Sequence, residues 1–278
     1  MKVNLAKSAG FCFGVQRALN IALRQVKSKN NIFMLGDIVH NENVVRLIKK
    51  TGIKKISHLT SGRGKTLLIR AHGASFATFK KAKSLGYNII DATCPMVKEI
   101  HKIAQDAENE GFDIIVIGDK KHDEVQGIVG QLKKKAVIID DKNKIPVSAV
   151  KKIKRAAVVV QSTQNIEKVL KILGKLRNYI PELKFYNTIC RPTRIKQEEI
   201  KCLPLKNDAM VIIGSKKSAN TKRLYEISKS LNKRTFWVNS SKELKRGYFK
   251  DLKSVGVTTG ASTPKESIRK ITEYLSGL

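Results

Sequence analysis

The sequence predicts an α/β fold built from three similar-sized units, and three observations carry that expectation. Short Val- and Ile-rich runs alternate with amphipathic stretches almost from end to end, as in parallel sheets covered on both faces. Each third of the chain carries one cysteine where a strand pattern gives way to a helical one. No Pro/Ser/Gly-rich linker interrupts the chain, so the units should pack tightly around a shared centre. Their expected bounds are residues 1–94, carrying Cys12, then 95–189 and 190–278.

Taken in order, residues 2–6 read as a strand entering a glycine-bearing loop, followed by a helix over 15–27. Strand patterns over 32–39, 66–71 and 88–91 each precede a helical one, over 42–50, 76–84 and 95–107. Pro95 suits the first turn of the last of these. Strands are expected over 113–118, 136–139 and 156–161, with helices over 166–177 and 195–202. The final third alternates strands over 210–214, 235–238 and 254–258 with helices over 221–231 and 265–275.

Composition is that of a soluble globular protein, with 41% hydrophobic and 28% charged residues. No apolar run approaches the roughly 18–20 residues that span a bilayer, so no membrane role is expected. No apolar run of signal-peptide length precedes Gly10, and the expected location is the cytoplasm. The net charge of +32 first suggests nucleic acid. Yet the lysines are scattered through every segment and aromatics are only 6%, with no aromatic–basic stripe to stack bases. An anionic small substrate or an acidic protein partner accounts for the same sign. No P-loop or GxGxxG follows any strand, which removes the common routes to nucleotide binding.

None of the four cysteines forms a CxxC pair, which excludes a zinc ribbon or thioredoxin motif. A disulfide framework is not expected without a secretion signal. Cys12, Cys94 and Cys190 all sit at strand-to-helix junctions, where thiolates have lowered pKa and make good metal ligands. Soft thiolates select iron–sulfur clusters, zinc or copper(I). Cys202 lacks that context and reads as a buried bystander. Polar donors also gather at strand ends: His40, His72, His122, the pair Ser162-Thr163, the run Ser218-Ala219-Asn220, and Ser262. Helix N-termini with such donors suit an anion, although plain capping explains any single Ser or Asn. Three of the five histidines occupy these positions, whereas His58 and His101 read as surface residues.

The segments GFCFGV (10–15), VHNENVV (39–45), RAHG (70–73), DATCP (91–95), HDEVQG (122–127), TICRPTRIKQ (188–197), GSKKSAN (214–220) and VGVTTGAS (255–262) occur in this order. Over essentially its full length the chain resembles the 4-hydroxy-3-methylbut-2-enyl diphosphate reductase family. That resemblance implies a trefoil of three α/β units around a central [4Fe–4S] cluster. Cys12, Cys94 and Cys190 would be its three ligands, leaving one iron open to substrate. It implies reductive dehydroxylation of an allylic diphosphate to isopentenyl and dimethylallyl diphosphates with two electrons and two protons. His40, His72, His122, Ser162, Thr163, Ser218, Ala219, Asn220 and Ser262 are then expected in the substrate site, with Glu124 delivering a proton. An acidic electron donor such as ferredoxin or flavodoxin is the expected partner, in keeping with the basic charge. The chain departs from the family pattern at Asp123, Gln126, Ser162, Pro192, Lys196, Lys217 and Ala219. The alternative reading, a basic nucleic-acid- or ribosome-associated protein with structural cysteines, would carry no iron after anaerobic purification. A zinc hydrolase built on the same Cys/His set would instead hold zinc and an activated water.

Overall fold

A computed structural model describes residues 1–28, 31–140 and 145–278. It contains three four-stranded sheets, and every strand pairing is parallel. The strands are β1 (Lys2–Leu5), β2 (Ile32–Leu35), β3 (Lys54–Ile56), β4 (Thr66–Ile69), β5 (Asn88–Asp91) and β6 (Asp113–Ile117). They continue with β7 (Val137–Ile139), β8 (Arg155–Val160), β9 (Glu182–Phe185), β10 (Ala209–Ile213), β11 (Thr235–Val238) and β12 (Ser254–Thr259). The helices that matter to the site are α1 (Phe13–Ser28), α2 (Glu42–Lys50), α3 (Phe76–Ser84), α4 (Pro95–Asn109) and α5 (Asp123–Val129). A single short turn, α6 (Val147–Val150), is followed by α7 (Ile166–Leu176), α8 (Arg191–Cys202), α9 (Ala219–Leu231) and α10 (Lys265–Ser276).

The sheets run β3-β2-β4-β5, β7-β6-β8-β9 and β11-β10-β12-β1. Numbered by their order in the chain, the first two read second, first, third, fourth, and the last repeats that arrangement when its β10, β11 and β12 are numbered first to third. In the last sheet the fourth place is filled by β1, which pairs with β12 over Lys2↔Ser254 to Leu5↔Val257. The N-terminal strand thus shares a sheet with strands of the final third, and not with β2–β5. By packing, the described chain divides into two compact units. One comprises Met1–Gln16, Val39–Lys50 and Arg191–Leu278 and holds the sheet with β1; the other comprises Arg17–Ile38 and Thr51–Cys190 and holds the remaining two sheets.

The inner strands explain why their sequences are apolar without interruption. Along β6 and β8, Ile115, Ile117, Val158 and Val160 face α7 through Val169, Leu173 and Leu176. Their alternates Ile114, Val116, Ala157 and Val159 face α4 through Ile100 and Ala104. Both faces are covered, so the period-two signal vanishes into a continuous run. β10 behaves alike: Val211 and Ile213 pack with Ile271 and Leu275 of α10, while Met210 and Ile212 pack with Ile200 and Leu224.

Two edge strands and two short helices go beyond the sequence reading. β3 is Lys-Lys-Ile and β9 is Glu-Leu-Lys-Phe, each with exposed charged positions that hide a strand. α5 and α6 are too short for an amphipathic period to register. The strand expected over 32–39 ends at Leu35 because Gly36 turns the chain with φ +79°. Ile115 is fully buried between β6, β8 and α7. Its replacement by Ala should destabilise the fold by about 2–5 kcal/mol, read from chemical denaturation midpoints.

Candidate functional site

In each sheet the polar site residues follow strands of the same rank. The fourth strands β5, β9 and β1 lead to Cys94, Cys190 and Cys12. The third strands β4, β8 and β12 lead to His72, to Ser162-Thr163 and to Ser262. The first strands β2, β6 and β10 lead to His40, His122 and Ser218. All lie beyond carboxyl ends of parallel strands, the edge where open α/β sheets place their ligands.

In the unit holding β2–β9, five of these residues and Glu124 form one connected line. The Cys190 N–H donates to the Ser162 carbonyl at 3.1 Å. Ser162 donates twice to Glu124, its N–H to Oε1 at 2.6 Å and its hydroxyl to Oε2 at 2.9 Å. Glu124 is only 2% exposed, a position a carboxyl group tolerates because both oxygens have donors. The Glu124 N–H in turn donates to His122 Nδ1 at 3.1 Å, where His122 caps α5. An accepting Nδ1 fixes the neutral tautomer with its proton on Nε2. The His122 ring stands edge-on to His72, with centroids 5.3 Å apart. His72 follows Ala71, whose carbonyl accepts the Cys94 N–H at 2.9 Å. Cys94 caps α4 with Pro95 at the first position, leaving its side chain uncommitted to the cap.

Asp123, one of the departures, opens α5 and pairs with Arg70 Nη1 at 2.5 Å. The ion pair ties the strand end carrying His72 to the helix start carrying His122 and Glu124. Gln126 makes a local bond to the Lys120 carbonyl at 2.6 Å. Thr163 Oγ1 is buried and has no hydrogen-bond partner among the described residues.

The other unit assembles a second line. The Cys12 N–H donates to the Ala261 carbonyl at 3.0 Å, and the adjacent Ser262 hydroxyl reaches the His40 carbonyl at 3.4 Å. Glu42, two residues after His40, accepts from Ser215 at 2.9 Å, which binds the His40 segment to the loop leading to Ser218. Ser218 caps α9, accepting the Thr221 N–H. Gly260 makes the approach of α9 possible, since a Cβ there would lie 2.1 Å from Thr221 Oγ1. Asn220 is 4% exposed, and neither atom of its amide has a partner among the described residues. A buried amide lacking every partner is costly, unless a ligand completes it. Ala219 stands beside it, 7% exposed.

Lys196, another departure, is 2% exposed and donates to the Ser8 carbonyl. Burial pulls its pKa down to about 8 against the opposing charges of Cys12 and Glu199. Glu199 accepts from the Lys7 N–H at 2.5 Å and from Ser8. Together they fasten the loop before Cys12 and place a buried cation within electrostatic reach of its thiol.

Two readings from sequence are corrected. Cys202 is exposed at the end of α8 and not buried, because the helix turns its apolar side, with Ile200, inward. His101 is not a surface residue: α4 presents it to the turn at Gly73 (φ +77°), where a Cβ would stand 3.0 Å from His101 Cε1. A residue that sequence reading passed over is Gln161, fully buried, whose Oε1 accepts the Asp119 N–H at 2.9 Å. Its Nε2 has no partner among the described residues. The one signal was its place between a Val-rich strand and Ser162-Thr163.

A family model described as LytB protein matches residues 3–276. The chain belongs to the LytB family. Its relatives include the 4-hydroxy-3-methylbut-2-enyl diphosphate reductases of Geotalea daltonii, 37% identical over 100% of this chain and 98% of that one, and of Aquifex aeolicus, 36% identical over 96% and 93%. It is similar to a solved structure of (E)-4-hydroxy-3-methyl-but-2-enyl diphosphate reductase, described as the terminal enzyme of the non-mevalonate pathway. That likeness has a TM-score of 0.74 and 35% identity and covers 100% of both chains. The Plasmodium falciparum E-1-hydroxy-2-methyl-but-2-enyl-4-diphosphate reductase is similar with a TM-score of 0.89 and 29% identity, over 99% of this chain and 88% of that one. The LytB-family chain therefore has the α/β fold of three parallel sheets found in those reductases. No helix among its described residues is long and apolar enough to cross a membrane.

Burial pushes the His101 pKa down to about 4, reinforced by Lys98 and resisted by Asp91. The unfolded state binds more protons at this group between its ordinary value and the folded one, so its contribution is intact above about pH 6.5. It is lost as pH falls towards 4, by about 3 kcal/mol in all. Denaturation at pH 7 and pH 4 should give a smaller pH difference for His101→Gln than for the wild type.

Proposed function

We propose that this chain is a 4-hydroxy-3-methylbut-2-enyl diphosphate reductase, removing the allylic hydroxyl of its substrate as water with two electrons and two protons. Membership of the LytB family, with reductase relatives spanning the whole chain, carries this reading. The repeated appearance of a cysteine after the fourth strand of each sheet supports an iron–sulfur site. The donor set fits such a cluster: Cys12, Cys94 and Cys190 are partly buried, none is in a disulfide, and each lies at the start of a helix whose N–H groups favour thiolate. Those three would hold a [4Fe–4S] cluster. When bound, the cluster would relay electrons and offer an open iron as Lewis acid to the hydroxyl.

The remaining residues anchor the substrate and hold a proton. Ser218, Asn220, Ser262, His40 and His72 are donors for a diphosphate, and the unmet amide of Asn220 supports that assignment. His122 offers its Nε2–H because Nδ1 already accepts from α5. Glu124 serves as the proton store. When protonated on Oε2 it can pass the proton to Ser162 Oγ, whose own proton then moves to the departing oxygen, with Thr163 beside it. Ser162 in place of the family's usual Thr retains the hydroxyl this relay needs. The electrons come from an acidic carrier such as ferredoxin or flavodoxin, matched to a chain of net charge +32.

Ser substitutions at Cys12, Cys94 or Cys190 should each deplete iron in anaerobically purified protein, whereas Cys202→Ser keeps it. Equal loss at Cys202 would overturn the ligand set. Glu124→Gln should keep the cluster spectrum and substrate affinity while turnover drops roughly 10²-fold or more, since an amide cannot relay the proton. Near-normal anaerobic turnover would remove Glu124 from that role.

A further inference from the structure

A groove in the unit containing α2 and α10 lies outside the residues assigned above. It has a volume of about 590 Å³ and runs between α2, the 239–242 loop and α10. Its floor is apolar, formed by Leu47 and Ile271, and Leu47 is 48% exposed. Its rim carries Arg46, Lys50, Lys242 and Lys270. The lining's one acidic side chain, Glu266, is already paired with Lys270 at 2.8 Å. Lys50 and Lys242 form no ion pair among the described residues, so the groove presents unneutralised positive charge around an apolar centre. That is the anatomy of a protein interface, with an apolar core and a charged rim that steers the partner.

The groove is also placed for electron delivery. α10 forms one wall through Lys270 and Ile271, and its Ile268 side chain lies 3.7 Å from where a Cβ of Gly10 would stand. Gly10 is two residues before Cys12. Pro264, also in the lining, closely follows Ala261, whose carbonyl holds the Cys12 N–H. The groove and the Cys12 loop thus share α10, whose Ile271 and Ile268, three residues apart, lie on one face of the helix.

We infer that this groove is the docking site of an acidic, low-potential redox protein that delivers electrons one at a time toward Cys12. The inference rests on the reductase reading. The partner sets carboxylates against Arg46, Lys50 and Lys242 and an apolar side chain against Leu47 and Ile271. Two such deliveries supply the two electrons of each turnover.

The test compares wild type with K50E/K242E, whose side chains belong to no catalytic or binding residue assigned above. A second variant, K151E/K152E, makes the same change of net charge at exposed lysines elsewhere. Each is driven first by reduced viologen and then by a reduced acidic flavodoxin or ferredoxin. With the protein carrier at low salt, K50E/K242E should lose at least about tenfold in kcat/KM and most of its salt dependence. Its viologen-driven turnover should stay within about twofold of wild type, as should both rates of K151E/K152E. An unchanged carrier-driven rate in K50E/K242E overturns the inference, as does an equal loss in K151E/K152E, which would mark an effect of overall charge. Loss of the viologen-driven rate in K50E/K242E overturns it too, by placing the groove in the catalytic apparatus. If K50E/K242E instead loses affinity for a single-stranded nucleic acid with carrier rates intact, the occupant is nucleic acid and the inference falls. Absence of viologen-driven turnover in the wild type refutes the reductase reading itself, a separate outcome.

Discussion

The pairing of β1 with β12 is the constraint on which much of the proposed site depends. Without it the sheet of β10, β11 and β12 would have only three strands, and the segment carrying Cys12 would have no fixed exit. With it, Cys12 follows a fourth strand just as Cys94 and Cys190 do. The segment is secured further by Gly10 donating to Thr259 Oγ1 at 2.7 Å, Cys12 donating to Ala261, and Lys196 and Glu199 holding Ser8. Each bond is ordinary in strength, about 0.5–1.5 kcal/mol net. Their value lies in acting together on one short loop.

Much of this was legible in the sequence because the inner strands are written in unmistakable letters. The runs at 114–117 and Ala209–Ile213 are buried on both faces and contain only Val, Ile, Ala and Met. The junction cysteines and strand-end histidines stood out because polar residues are conspicuous next to such runs. Less legible was anything decided by packing across distance. That β1 joins strands from the far end of the chain leaves no local trace. His101 looks like an ordinary polar helix residue until Gly73 and α5 close over it. Lys196 reads as one more lysine in a lysine-rich chain, yet its depth and its neighbours set it apart from the exposed majority.

The departures from the family pattern also acquire local reasons. Asp123 supplies a negative charge at the start of α5, favourable to the helix, and a partner for Arg70. Ser162 keeps both donors to Glu124. Gln126 closes its own turn through the Lys120 carbonyl. No feature of the structure explains Pro192 beyond its tolerated place in the first turn of α8.

The strand exchange has a consequence for biosynthesis. β1 is made before β2–β11, and its partner β12 only after them. The bond from Gly10 to Thr259 alone spans 249 positions. The four strands of either sheet within residues 32–185 can pair as soon as they emerge, but the sheet holding Cys12 cannot close until β12 has been made. On the proposed ligand set, a nascent or truncated chain could offer two organised thiols and never three. Assembly of such a centre would thereby wait for β12, by topology alone.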